Sequence, residues 1–158
     1  MRIELVHAPF DPGARLSAFT AGRTEVGAVV SFTGLCRAAP GLEALELEAY
    51  PGFTETVILG VAETTVGEHA LLDLEVIHRV GRIAPGEPIV WVAAAAAHRR
   101  AAFEGCDRMM DFLKSKAPFW KREHFVGGDA RWIEPTAQDH ADAARWGAAS
   151  KPSESDTR

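Results

Sequence analysis

A proline at position 118 separates one amphipathic helix from an extended segment, and this junction constrains the chain more than any other feature. Ala102, Cys106, Met109 and Leu113 fall at i, i+4, i+7 and i+11, which is one apolar stripe of a helix, with Phe103 and Met110 beside it. Glu104, Asp107, Arg108 and Asp111 lie off that stripe. Pro118 disfavours helical backbone at Ala117, so the helix is expected to stop near Ser115 or Lys116. The following segment, Phe119 to Phe125, reads as a strand with Phe119, Lys121, Glu123 and Phe125 on one face.

Two lysines flank the junction. Lys114 sits three turns after Phe103, at the edge of the buried face. Lys121 lies between two aromatic residues on one strand face, the setting of a half-buried ammonium. Burial lowers a lysine pKa and suits the amine to nucleophilic or acid–base work. The plainer reading makes Lys114 a helix C-terminal cation and Lys121 a solvated strand lysine, and spacing alone favours it. The other end of the helix argues differently. His98, Arg99 and Arg100 stand where the helix dipole is already positive, an unfavourable place for cations unless an anion completes the site. Guanidinium forks beside free N–H groups suit a phosphate or carboxylate. Outward-pointing arginines, or pairing with Glu104 and Asp107, have equal weight.

The rest of the chain reads as scaffold. Arg2–Val6, Val26–Thr33, Leu42–Tyr50, Leu72–Val80, Glu87 to about Ala96 and Arg131–Glu134 have strand character. Arg15–Gly22, Glu55 to Glu68 behind a Thr54 cap, and a short segment from Thr136 to Trp146 have helical character. Asp11-Pro12-Gly13 reads as a turn, and Gly81 with Pro85-Gly86 as a connection. The alanines from Ala93 to Ala97 are ambiguous by propensity. They are assigned to the strand through Ala96 because they continue IVWV, and their small side chains let something pack close. Gly34 opens a loop, Leu35 to Gly41, whose Arg37 is a binding candidate. Strands in pairs without strict βαβ alternation indicate an α+β fold. Residues 1–146 are expected to form one domain, and the polar, small-residue tail 147–158 to be disordered.

A net charge of −5 argues against general nucleic-acid binding while leaving room for a local basic patch. No apolar run reaches a membrane span and no apolar signal core opens the chain, so a cytoplasmic location is expected. Cys36 and Cys106 form no CxxC pair, and the six histidines show no metal-ligand spacing, so no metal or cofactor is expected. Cys106 fits a small core residue. Cys36, beside Arg37, has either a lowered pKa or, on balance, a packing role. If Arg37, His98, Arg99, Lys114, Lys121 and Arg131 converge, an acidic protein holds one basic pocket. Such a pocket suits a small phosphorylated substrate or a partner's carboxylate tail, with lysine as the reactive group.

These residues lie in stretches that resemble the large, catalytic subunit of molybdopterin synthase: GAVVSFTGLCR (27–37), LELEAYPGFTE (45–55), VIHRVGRIAPGE (76–87), AHRRAAFEGCDRMMDFLKSKAPFWKRE (97–123) and RWIE (131–134). The resemblance implies an α/β-hammerhead fold with an additional antiparallel β subdomain, and a homodimer within a heterotetramer. Its small ubiquitin-like sulfur-carrier subunit would thread a C-terminal Gly-Gly thiocarboxylate into the pocket. Sulfur from successive carriers would convert cyclic pyranopterin monophosphate (precursor Z) into the dithiolene of molybdopterin. By position, Lys114 and Lys121 match the family's catalytic lysines, Lys114 being the one expected to meet the carbonyl. Arg37, His98 and Arg99 match substrate- and phosphate-binding residues, and Arg131 an arginine contributed across the dimer. Arg122 and Glu123 belong to the same matching segment. Leu35 and Cys36 depart from the pattern, standing where many members carry a basic and an aliphatic residue. Two other readings compete: a non-catalytic dimeric module that binds a ubiquitin-like carrier tail in a basic pocket, and an unrelated enzyme acting on a phosphorylated metabolite.

Overall fold

The computed structural model describes residues 1–147, and the expected disorder of the tail beyond Gly147 lies outside the described residues. The elements run β1 (Arg2–Val6), α1 (Pro12–Thr20), β2 (Ala28–Leu35), β3 (Leu42–Ala49), α2 (Phe53–Glu68), β4 (Leu71–Arg79), β5 (Gly81–Ile83), β6 (Pro88–Ala96), α3 (Arg99–Ser115), β7 (Phe119–Phe125), β8 (Ala130–Ile133) and α4 (Ala137–Ala144). They build two four-stranded sheets, ordered β1-β4-β6-β2 and β5-β3-β7-β8. In the first, only the β1–β4 pair is parallel. The second is antiparallel throughout. The fold is α+β with a separate antiparallel sheet.

Strand β6 is the centre of the first sheet and is buried on both faces, which is why its sequence is a continuous apolar run. Val90, Val92, Ala94 and Ala96 face α2 and α3, joining Ile58, Ala62, Leu74, Val76, Ala102, Cys106, Met109 and Leu113 in one core. Trp91, Ala93 and Ala95 face the other way, packing with Ile77 and with Phe19 of α1. The alanine run is therefore strand, and its small side chains let helices approach both faces. On α3, Gly105 serves the same end: a Cβ there would lie 2.6 Å from Leu71 Cδ1 of β4. The apolar stripe read from the sequence is the buried face of α3, although Phe103 stands outside it at 61% exposure.

Several boundaries differ from expectation for local reasons. Helix α1 begins at Pro12, because Asp11 caps it by accepting from the Gly13 and Ala14 amides at 2.8 and 3.2 Å. A proline needs no donor in the first turn, so the expected turn is a helix start. Thr54 does not cap α2. Gly52 occupies the cap position, and Glu55 Oε2 accepts from its amide at 2.8 Å. Thr54 is the second residue of α2 and is buried, its hydroxyl accepting from the Tyr50 amide and donating to the Pro118 carbonyl at 3.2 Å, which ties α2 to the α3–β7 junction. A register shift between Leu71 and Asp73 turns Leu71 inward and leaves Leu72 exposed. Gly81–Ile83, expected as connection, pairs with β3 as β5. Strand β2 continues past Gly34 to Leu35, with an irregularity between those two residues, so its loop starts later than expected.

Ala94 is fully buried under α2 and α3. Ala94→Leu should overpack that layer and cost about 1–3 kcal/mol. Chemical denaturation of the variant checks this, and an unchanged midpoint would mean the helix layer has room to spare.

Candidate active site

The two sheets meet where α3 gives way to β7, and a cavity of about 780 Å³ opens at that joint. Its walls include Phe32 to Arg37 at the end of β2, Met110, Leu113 and Lys114 on the last turns of α3, Phe119, Trp120, Lys121 and Glu123 on β7, His78 on β4, Trp132 to Glu134 at the end of β8, and Thr136 with Asp139 at the start of α4, with further contributions from β3 and β6. Helix α4 is fixed across this end of α3 through Asp111, which accepts from Arg145 at 2.6 Å and from the Trp146 indole at 2.6 Å. Thr136 caps α4 together with Asp139, whose Oδ2 accepts from the Thr136 amide and hydroxyl at 2.8 and 2.7 Å.

Lys114 and Lys121 both line the cavity, one from the last helical turn and one from the strand after Pro118. Lys114 is exposed to it, whereas Lys121 is half-buried. Burial, then the neighbouring Lys114 ammonium, pulls the Lys121 pKa below the ordinary lysine value, and Asp139 acts against them. Lys121 is thus more easily deprotonated than an ordinary lysine. The chain holds only four lysines, at 114, 116, 121 and 151, so two of the four open into this cavity.

Arg37 lines the cavity as an exposed cation on the loop after β2. That loop is pinned to the turn before β6: the Cys36 amide donates to the Glu87 carbonyl at 2.9 Å, and the Gly86 amide donates to the Cys36 carbonyl at 2.7 Å. Leu35 and Cys36 line the cavity too, in opposite ways. Leu35 is exposed, whereas the Cys36 side chain is buried with Leu47 and Ile83. Burial above all pushes the Cys36 thiol up, with Glu87 and Glu123 adding to it, so the option of an activated thiol gives way to packing. Cys106, buried in the main core, is pushed up to about 12 by burial first and by Asp107 second.

The remaining candidates lie outside the lining. His98 stands at the cap position of α3 without a side-chain capping hydrogen bond, and Arg99 opens the helix. Fifteen residues separate Arg99 from Lys114, about 22 Å along the helix axis. Arg122 shares the opposite face of β7 with His124, and both bind Glu46 Oε2, at 2.7 and 2.6 Å. Its guanidinium also lies 4.9 Å from the Trp132 ring centroid. Arg131 pairs with Glu123, which does line the cavity, and lies over Phe125. Sequence reasoning passed over His78 and Asp139 as site residues. Strand alternation places His78 on the inward face with Leu74 and Val76, but nothing local says that this face opens into a cavity. Asp139 is recognisable only as a helix-capping acid.

With this geometry in view, comparison with known proteins is decisive. The family model described as "MoaE protein" matches residues 5–116, more than two-thirds of the chain. The chain belongs to the MoaE family. It is 60% identical over 147 residues to the molybdopterin synthase catalytic subunit of Caulobacter vibrioides, an alignment covering 92% of this chain and 97% of that protein. It is 50% identical over 151 residues to the protein of the same name from Mesorhizobium japonicum, covering 94% and 95%. Among solved structures, the molybdopterin biosynthesis MoaE protein of Burkholderia ambifaria superposes with a TM-score of 0.78 at 39% identity, covering 93% of this chain and 99% of that one. The molybdopterin synthase of Staphylococcus aureus follows at 0.74 and 26%, covering 82% and 95%. The matched span includes the positions of Arg37, His98, Arg99 and Lys114 and ends before Lys121, which lies on β7.

His78 makes the site's pH dependence testable through stability. Burial pulls its pKa down to about 4, against an ordinary value of 6.5. Between those values the unfolded chain binds a proton that the folded chain refuses, so unfolding free energy should fall as pH is lowered from about 6.5 towards 4, by about 1.4 kcal/mol per pH unit at most. In His78→Gln that component of the slope should vanish, as read from denaturation curves across the range. An undiminished slope would assign it to other groups.

Proposed function

We propose that this MoaE-family chain transfers sulfur from the thiocarboxylated C-terminus of a small ubiquitin-like carrier to cyclic pyranopterin monophosphate. Lys114 and Lys121 would be the working groups, and Arg37 would hold negative charge. The observation that carries the reading is the meeting of two amines, from different elements, in one cavity of a catalytic-subunit relative. The cavity opening is rimmed by exposed apolar groups, Phe32, Leu35, Trp120 and Trp132, which suit an extended peptide tail. The structures of Staphylococcus aureus molybdopterin synthase and of a Helicobacter pylori complex of molybdopterin-converting-factor subunits 1 and 2 motivate a small second subunit as partner.

In this reading Lys114, exposed to the cavity, meets the carbonyl of the incoming thiocarboxylate. Lys121, whose lowered pKa makes proton exchange easier, moves protons and stabilises the anion that forms. Arg37 offers a guanidinium to phosphate or carboxylate. Lys114→Ala should lower product formation by at least about 100-fold with carrier binding retained. The assay is reconstitution from protein, thiocarboxylated carrier and precursor, with molybdopterin detected as its fluorescent oxidised derivative. Full activity in the variant would remove Lys114 from the mechanism. Carrier binding without turnover by the unaltered chain would favour the binding-module alternative.

His98 and Arg99 require a second copy in this account, because one protomer holds them about 22 Å from Lys114 along α3. Their placement supports a homodimer in which the α3 start of one protomer faces the cavity of the other. Arg99→Ala and Lys114→Ala chains, each inactive alone, should then recover activity when mixed and allowed to exchange. A mixed dimer contains one site with both residues intact. Failure to complement, with exchange verified by differently tagged chains, would place Arg99 outside the partner's site.

A further inference from the structure

His78 is a buried titratable group on the cavity wall to which the reaction as set out gives no part. It is 4% exposed, at the second-to-last residue of strand β4, toward the joint between the sheets. Its Nδ1 lies 2.8 Å from the Arg79 carbonyl oxygen, an atom that only accepts. Nδ1 therefore carries the proton, and Nε2 carries the lone pair. The ring stacks on Phe119, centroids 4.1 Å apart and planes 19° from parallel. Phe119 and Lys121 lie two residues apart on one face of β7, about 7 Å along the strand, within reach of a lysine side chain.

We propose that His78 is a positioning residue for Lys121: the two side chains line the same cavity wall without a hydrogen bond between them in this structure, and a turn of the Lys121 side chain brings its amine onto the Nε2 lone pair, which holds it toward the cavity. The function assigned to that geometry rests on the role proposed for Lys121 above. The other charged groups facing the cavity around Lys121 are Lys114 from α3, Asp139 from α4, Arg37 beyond β2, Glu134 just after β8 and Glu123 on its own strand. Among the described residues, none of the ion pairs involves Lys121, and Glu123 is engaged by Arg131. A neutral acceptor suits a proton-exchanging amine better than a carboxylate would. It fixes direction without adding a full negative charge that holds the proton in place. Burial keeps the imbalance in the right sense, since the imidazole stays uncharged across neutral pH and so remains an acceptor.

The test compares His78→Phe, which keeps the stack on Phe119 and removes the lone pair, with His78→Gln, which keeps an acceptor. Competitive labelling with trace acetic anhydride across pH, mapped by peptide mass spectrometry, gives the titration midpoint of Lys121, with Lys116 as internal standard. In His78→Phe the lost acceptor destabilises the ammonium, so the midpoint should fall by about one pH unit, while His78→Gln stays near the parent. Turnover should fall about 10-fold in His78→Phe and largely recover in His78→Gln. An unchanged midpoint in His78→Phe overturns the proposal, as does an equal shift in both variants, which would reflect packing alone. The labelling uses neither carrier nor precursor, so its outcome is independent of the sulfur-transfer reading. A shifted midpoint with unchanged turnover would uphold the hydrogen bond and contradict the part given to Lys121.

Discussion

Lys114 and Lys121 are seven residues apart, and the exchange of helical for extended backbone at Pro118 is what turns both into one cavity. A continued helix would carry position 121 two turns onward, about 10 Å further along the axis. The proline instead ends α3 and starts a strand of the second sheet. The junction holds because both sides are anchored. Leu113 and Met109 are buried against the first sheet, Phe119 stacks on His78, and the Pro118 carbonyl accepts from Thr54 at the start of α2. Burial of the α3 stripe thus does more than stabilise a helix, because it fixes where the lysine pair stands.

Charge is distributed to the same end. The chain is acidic overall, and three cations line its cavity against the carboxylates of Glu123, Glu134 and Asp139, while arginines elsewhere are matched to carboxylates. Arg79 binds Glu87, Arg122 binds Glu46, Arg108 binds Glu68, and Arg145 binds Asp107 and Asp111. The solvent-exposed pairs among these, such as Arg145 with Asp107, contribute little stability individually, whereas Arg79 is buried. Their consequence here is spatial, since the cations left facing the cavity are Lys114, Lys121 and Arg37. Glu46 shows the cost of disturbing this pattern: hydrogen bonds from Arg122 first and His124 second hold its carboxyl below the usual range. The stability they add is present above the unfolded value and is lost as pH falls through the folded one.

The sequence disclosed most of this where the signal was periodic or covalent. The stripe from Ala102 to Leu113 and the proline at 118 are local features, so α3 and the start of β7 were legible to within a residue. The alanine run was readable as strand because IVWV continues into it. What escaped depended on tertiary choice. Asp11 and Thr54 each offered a cap or turn by residue type, and packing decided that Asp11 caps while Thr54 is buried. The shift that exposes Leu72 is set by pairing with β6. The site divided in the same way. Lys114, Lys121, Arg37 and Glu123 line one cavity, and the cationic start of α3 stands at the far end of its helix. One chain's sequence contains no sign of which copy supplies a side chain. His78 was visible as an inward residue, but its neighbours across the sheet joint were not.

The most direct measurement of the central claim is where a carrier tail lands. A carrier whose C-terminal Gly-Gly is activated as a thioester would be incubated with the protein and the linked lysine mapped by mass spectrometry. The account predicts an amide bond at Lys114, inside the cavity, formed faster than at Lys116 two residues on, outside the cavity lining, and blocked by added precursor or by Lys114→Arg. Attachment at Lys116 or Lys151 with equal ease, indifferent to Lys114, would contradict it.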